Sequence, residues 1–258
     1  KRVIAEVRPE FIRTHGENFI HVDEIDLFVE AQPLPPGAPP PPTRDEDIAA
    51  VEAICTQVTV ELLNDGDTLQ MGVGTVSASL APFLDFRNDL GIQTELITGG
   101  VVDLVANGNV TGKRKTWHPG TVVGAACVVM PNEELMRIHE TPYFELYDFG
   151  YTDDLRQLIQ QENFVAVNNA LQVDLTGQLS AEALDHQPYT GVGGQTVFML
   201  AGAYSKGGKS ISVLPSSALP TGASERLSRI VPTLGVVRRS RLVPDPWLVP
   251  DTRWVPDT

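Results

Sequence analysis

From Thr68 onward, short strand-like runs alternate with helix-like ones, and few residues separate them. The strand-like runs are TLQMGV (68–73), QTELI (93–97), VVGAACVVM (122–130), FELYDF (144–149), FVAVNNALQV (164–173) and SISVLP (210–215). Between them lie VSASLAPFL (76–84), VVDLVAN (101–107), NEELMRIHE (132–140), DDLRQLIQQE (153–162) and TVFMLAGAYS (196–205). A strand that is followed by a helix returns to its sheet parallel to itself. The pattern therefore predicts an α/β fold with an open, largely parallel sheet and helices on both faces. Ligands of such sheets bind beyond the carboxyl ends of the strands, where glycine-rich turns lead into helices.

The first part of the chain reads differently. Val3–Val7 and Ile25–Val29 are strand-like, and AQPLPPGAPPPP at 31–42 holds seven prolines. That run excludes helix and central strand and is expected to be an extended connector. TRDE at 43–46 reads as a capping box, and Ile48, Val51, Cys55, Val58 and Leu62 mark one face of the helix behind it, with Gly66 as its stop. The expected organisation is an N-terminal segment at 1–30, a proline-rich linker at 31–43, a catalytic domain at 44–237 and a proline-containing tail at 238–258. VPD occurs three times in that tail, at Val243, Val249 and Val255. The chain opens on VIAEV with no initiator Met, so it is expected to be part of something longer.

A formal net charge of −14 argues against nucleic acid and anionic membrane as partners. Two cysteines, Cys55 and Cys127, give no disulfide framework and favour a reduced, cytoplasmic location. Five scattered histidines do not form a metal motif, and no metal is expected. His21 and His118 read as structural, and His15, His139 and His186 as solvent-facing.

Two turns fit a ligand site: Gly72-Val73-Gly74 before a helix, and Gly191-Val192-Gly193-Gly194 before another. Glycines there let backbone N–H groups approach a ligand oxygen. SKGGKS at 205–210 precedes a strand and reads as a turn. Glu95, a carboxylate at the end of an apolar strand, lies where an acid would hold a ribose if GVGTVS were a dinucleotide fingerprint, but Ser77 stands at the third glycine position. On the residues alone, a nucleotide-binding module, an acyl-transfer enzyme, and two tight turns beside a surface Glu all remain open.

Longer motifs narrow the choice. GIQTELITGGVVDLVANGNVTGKRKTWHPG, NFVAVNNALQVDLTGQLSAEA, YTGVGGQTVFMLAGAYSKGGKSISVLPS and SRIVPTL follow one another in that order, preceded by RTHGENFIHVDEIDLFVE and LNDGDTLQMGVGTV. Over residues 1–237 they resemble the acetyl-CoA hydrolase/transferase family, and within it the 4-hydroxybutyrate (butyrate-type) CoA-transferases. The resemblance implies a CoA-transferase-like fold and transfer of CoA between an acyl-CoA and a short-chain carboxylate. It also implies a covalent glutamyl-CoA thioester on Glu95, coenzyme A as substrate, and no metal. Asn168 would then stand near the reacting thioester and Gly193 would help form the oxyanion hole. Gly72, Val73, Gly74, Gly191, Val192 and Gly194 would line the cleft. Lys206 and Lys209, as point charges, are candidates for the CoA phosphates. The family has a further N-terminal α/β half that this sequence lacks, so a homo-oligomer or a second chain supplying that half is expected. A hydrolase, or a non-catalytic half that needs a partner, is the alternative the resemblance leaves.

Overall fold

The computed structural model describes residues 2–8, 11–32, 44–128, 130–184, 187–219, 224–235 and, for the backbone, 252–255. Its centre is a seven-stranded sheet. The strands run, from one edge to the other, 252–255, 209–213, 164–169, 68–71, 91–93, 122–124 and 144–146. Every pairing in it is parallel, as the alternating pattern predicts.

Strict alternation along the strands builds two cores. Leu69, Met71, Ile92, Val122, Val165, Val167, Ile211 and Val213 face one side and pack with Val51, Ile54, Cys55 and Val58 of the first long helix and with Val76, Val101 and Leu104. Phe164 and Ala166 face the other side and pack with Leu158, Phe198, Met199 and Ala201. Helices therefore cover both faces.

The order of the strands fixes where a ligand can enter. From 68–71 the chain moves outward through 91–93, 122–124 and 144–146, then returns to the other flank of 68–71 with 164–169. The strand Thr68–Met71 is thus the topological switch point, and the crevice lies beyond its carboxyl end. Gly72–Gly74 is the turn that leaves it.

Several local expectations need correction. The helix Asp45–Gln57 has Arg44 as its N-cap, with no side-chain capping bond; Thr43, the cap expected from TRDE, lies outside the described residues. Ile48 is exposed and Ile54 takes its place in the core. Pro82 divides the 76–84 run into the helix Thr75–Ala78 and a 3-10 turn, Ala81–Phe83. In the 153–162 run only Leu155–Leu158 is α-helical. The proline connector (33–43), His186, and Val243 and Val249 lie outside the described residues.

The N-terminal strands Ile4–Val7 and Leu27–Glu30 pair in parallel as a separate two-stranded sheet. Between them the chain passes the open edge of the large sheet, where Leu146 N–H donates to His15 O at 2.7 Å. Tail residues Thr252–Val255 form the opposite edge strand against Lys209–Val213.

Candidate active site

The sheet ends at the crevice in polar groups. The strand Gly91–Gln93 stops two residues before Glu95, which sits in a bend ahead of the short strand Leu96–Ile97. Ala125 N–H donates to Glu95 O at 2.7 Å, and Thr94 Oγ1 donates to Met71 O at 3.3 Å. The bend is therefore pinned by strands on both sides. Carried beyond the last ladder pair, Leu69↔Ile92, the register sets Glu95 opposite Gly72; Met71↔Val167 on the other flank sets Asn168 opposite Gly72 as well. Glu95, Gly72 and Asn168 thus form one row across three neighbouring strands, although 73 positions separate Glu95 from Asn168.

Glu95 is half-buried. Its Oε2 lies against Gly194: a Cβ built on that glycine would collide with it and would come within 2.7 Å of Asp153 Oδ2 and 2.9 Å of the Phe198 ring. Gly194 is the N-cap of the helix Gln195–Tyr204. The second glycine turn therefore reaches Glu95 through Gly194, while Gly191, Val192 and Gly193 are exposed, and no atom stands within 4 Å of a Cβ on either Gly191 or Gly193. That turn leaves open space directly beside a carboxylate.

Behind Glu95, on the same face of the sheet, lies a buried polar floor. Asn168 and Gln70 exchange amide hydrogen bonds: Asn168 Nδ2 donates to Gln70 Oε1 at 2.7 Å, and Gln70 Nε2 donates to Asn168 Oδ1 at 3.3 Å. Gly72 is needed beside them, since a Cβ there would stand 2.7 Å from Asn168 Oδ1. Gln93 is fully buried and neither atom of its amide has a partner; Ser212 Oγ is in the same condition. Buried polar atoms are normally satisfied, and these are the exceptions on this face of the sheet.

The first glycine turn is closed by a neighbour that the sequence did not single out. Asn169 Oδ1 accepts from Ser77 N–H at 3.0 Å and from Ser77 Oγ at 2.8 Å, and its side chain fills the space over Gly74. The helix Thr75–Ala78 behind that turn has four residues. One of its terminal N–H groups is therefore already occupied, which weakens the dinucleotide alternative. Val73 is exposed at the tip.

Lys206 and Lys209 are not brought to this crevice. They flank the turn that enters the strand Lys209–Val213, and in a parallel sheet that is the end opposite Glu95. Lys206 Nζ pairs with Glu162 at 2.9 Å, and Lys209 Nζ with Asp67, the residue before the strand Thr68–Met71, at 3.4 Å. Burial keeps the Asp67 carboxyl above its ordinary range despite that partner. His118 is held between Glu145 at 2.9 Å and the Tyr151 hydroxyl at 2.7 Å, in a left-handed turn (φ +52°), a structural setting.

Asp153 was missed in the sequence, where it read as the start of a helix. Burial, partly offset by a hydrogen bond from Thr152 and reinforced by the charge of Glu95, pushes its carboxyl up to about 6. Gln93 and Gln70 were missed as well. Their signal was an amide at an inward position of otherwise apolar strands. Among the described residues, no group of three or more His, Cys, Asp or Glu side chains is placed to hold a metal ion, and no helix is long and apolar enough to cross a membrane.

Comparison with known proteins places this arrangement. Residues 132–243 match the family described as the acetyl-CoA hydrolase/transferase C-terminal domain. The chain is 37% identical over 236 residues to the 4-hydroxybutyrate coenzyme A transferase of Clostridium kluyveri, covering 91% of this chain and 52% of that protein. It is 36% identical to the succinyl-CoA:cyclohexane-1-carboxylate CoA transferase of Geobacter metallireducens, covering 91% and 51%. Among solved structures it superposes on RipA from Yersinia pestis with a TM-score of 0.75 at 34% identity, covering 92% of this chain and 52% of that one. On 4-hydroxybutyrate CoA-transferase from Porphyromonas gingivalis the TM-score is 0.71 at 32% identity, covering 90% and 54%. The chain spans about half the length of the curated relatives it matches.

Proposed function

Because the chain carries the acetyl-CoA hydrolase/transferase C-terminal domain, we propose that it is the catalytic half of a CoA-transferase, with Glu95 as the covalent nucleophile. The observation that carries this reading is the Glu95 carboxylate set against Gly194, beside the open Gly191–Gly193 turn, at the topological switch point of the sheet.

The chemistry follows from the groups present. Glu95 attacks the thioester carbonyl of an acyl-CoA. In this reading, backbone N–H groups of the glycine turn, Gly193 foremost, meet the developing oxyanion. The C–S bond breaks with its electron pair on sulfur, leaving a mixed anhydride on Glu95 and CoA thiolate. The thiolate then attacks the glutamyl carbonyl, which releases the first carboxylate and leaves CoA as a thioester on Glu95. A short-chain carboxylic acid takes CoA by the reverse steps. Coenzyme A enters as substrate, and no step calls for a metal.

We further propose that residues 44–237 form the catalytic domain, and that the remainder of the cleft comes from a second α/β half, in the same polypeptide or a partner chain. Phe11, Phe19, Ile20 and Phe28 of the N-terminal segment are exposed and are apolar surface that such a half could cover. Cys55 and Cys127 are both free, consistent with a reducing cytoplasm. Exchange of isotope-labelled carboxylate into acyl-CoA, measured on the native assembly, tests the activity. Labelled acyl-CoA is the expected product, and release of free CoA and acid alone would make the enzyme a hydrolase.

A further inference from the structure

Two carboxylate oxygens, one from Glu95 and one from Asp153, border the space beside the Gly194 Cα, and the second has no role in the reaction described above. Asp153 Oδ1 accepts from Thr152 Oγ1 at 2.9 Å, with Thr152 itself fully buried. Asp153 Oδ2 is buried and has no hydrogen-bond partner. The same Gly194 Cα that leaves room for Glu95 Oε2 leaves room for Asp153 Oδ2. A buried carboxylate oxygen without a donor is costly, and a neighbouring carboxylate adds to the cost. The usual resolution is that the pair holds one proton between two acids.

Resting on the reading of Glu95 as nucleophile, we propose that Asp153 is a positioning residue for it: Oδ2 keeps a proton and donates it to the Glu95 carboxylate, which fixes one Glu95 oxygen and presents the other to the thioester. The proton stays with the pair during attack; the bond that forms is between a Glu95 oxygen and the acyl carbon, and the one that breaks is C–S. Of the charged groups nearby, Glu95 acts on Asp153 directly. Asp154 is turned away to Arg156 at 2.9 Å, and Asp148 accepts from Gly150 N–H at 2.7 Å. Burial above all, and the Glu95 charge, hold Asp153 protonated up to about pH 6.

Infrared titration of protonated carboxyl groups in the chain reads the pair without reference to activity. One band is expected to titrate near pH 6, to vanish in Asp153→Asn, and to shift to lower pH in Glu95→Gln. Transfer kinetics on the native assembly read the role. Asp153→Ala should lower kcat about tenfold or more with little change in KM, since a displaced nucleophile is costly. Asp153→Asn supplies a permanent N–H donor. It should restore most of kcat and remove the fall in kcat/KM that accompanies ionisation of Asp153. An Asp153→Asn variant as poor as Asp153→Ala, or the absence of any band lost in Asp153→Asn, overturns the proposal. A Glu95→Gln variant with undiminished transfer overturns the nucleophile reading, and the positioning role with it, even where the titrating band persists.

Discussion

The Glu95 carboxylate occupies the space where a side chain on Gly194 would be. The two residues come from a strand-end bend and from the cap of a helix, and only the glycine lets them meet. Gly194→Ala should therefore displace the carboxylate while leaving both elements folded. A misplacement of this kind costs on the order of a hundredfold in rate. Transfer kinetics alongside circular dichroism check it: the expected variant is folded and nearly inactive, and a folded, fully active one would mean that the contact does not matter to the reaction.

Asn169 gives a test of stability rather than activity. Its Oδ1 accepts both from Ser77 N–H and from Ser77 Oγ, the job of an N-cap supplied from a neighbouring strand. Asn169→Ala leaves both donors without that acceptor and should destabilise the fold by about 1–2 kcal/mol. Urea unfolding of the variant against the parent measures the difference.

Lys115 predicts the pH dependence of stability. Its Nζ is buried and donates to Ile92 O and Thr121 O, both at 2.9 Å. Burial lowers its pKa from 10.5 to about 7. Between these values the unfolded chain binds the proton and the folded chain does not, so stability rises with pH through that window. At pH 7 and below the burden on the fold is greatest, on the order of 4–5 kcal/mol by the usual conversion. Lys115→Met removes this ionisation. The stability difference between parent and variant should shift in the parent's favour from pH 7 to pH 9.5, as urea unfolding at the two pH values will show; an unchanged difference would place an ordinary lysine there.

Burial holds both cysteines in the thiol form. Burial raises Cys55 to about 12 and Cys127 to about 11, and Cys55 Sγ donates to Val76 O at 3.5 Å. The thiolate is the reactive form. A thiol reagent at neutral pH should therefore label the native chain slowly at both positions and quickly once urea unfolds it. Rapid native labelling that abolishes transfer would bring a thiol into the mechanism.

How much of this was visible in the sequence depends on what each feature rests on. Alternation of strand and helix depends on local periodicity, and the parallel sheet could be read from it. Glu95 and the two glycine turns carried motifs long enough to be matched. Gln93, Gln70 and Asn169 did not stand out, because their meaning comes from register: only pairing of adjacent strands tells which amides share a face, and Asn169 acts on a helix 92 positions earlier. Asp153 looked like the opening of a helix because its neighbours 154–156 do open one; its meeting with Glu95 depends on how the crossover folds back. Lys206 and Lys209 stand at the end of the sheet opposite the crevice, and the polarity of the strand that begins at Lys209 already sets them there.

The most direct test is the fate of Glu95 when acyl-CoA is supplied to the native assembly without an acceptor acid. Borohydride treatment followed by peptide mass mapping should find one side chain, Glu95, reduced to the alcohol, because a glutamyl thioester is reducible where a carboxylate is not. Glu95→Gln should show no such modification and no transfer. An assembly that transfers CoA at full rate with Glu95 unmodified would contradict the account.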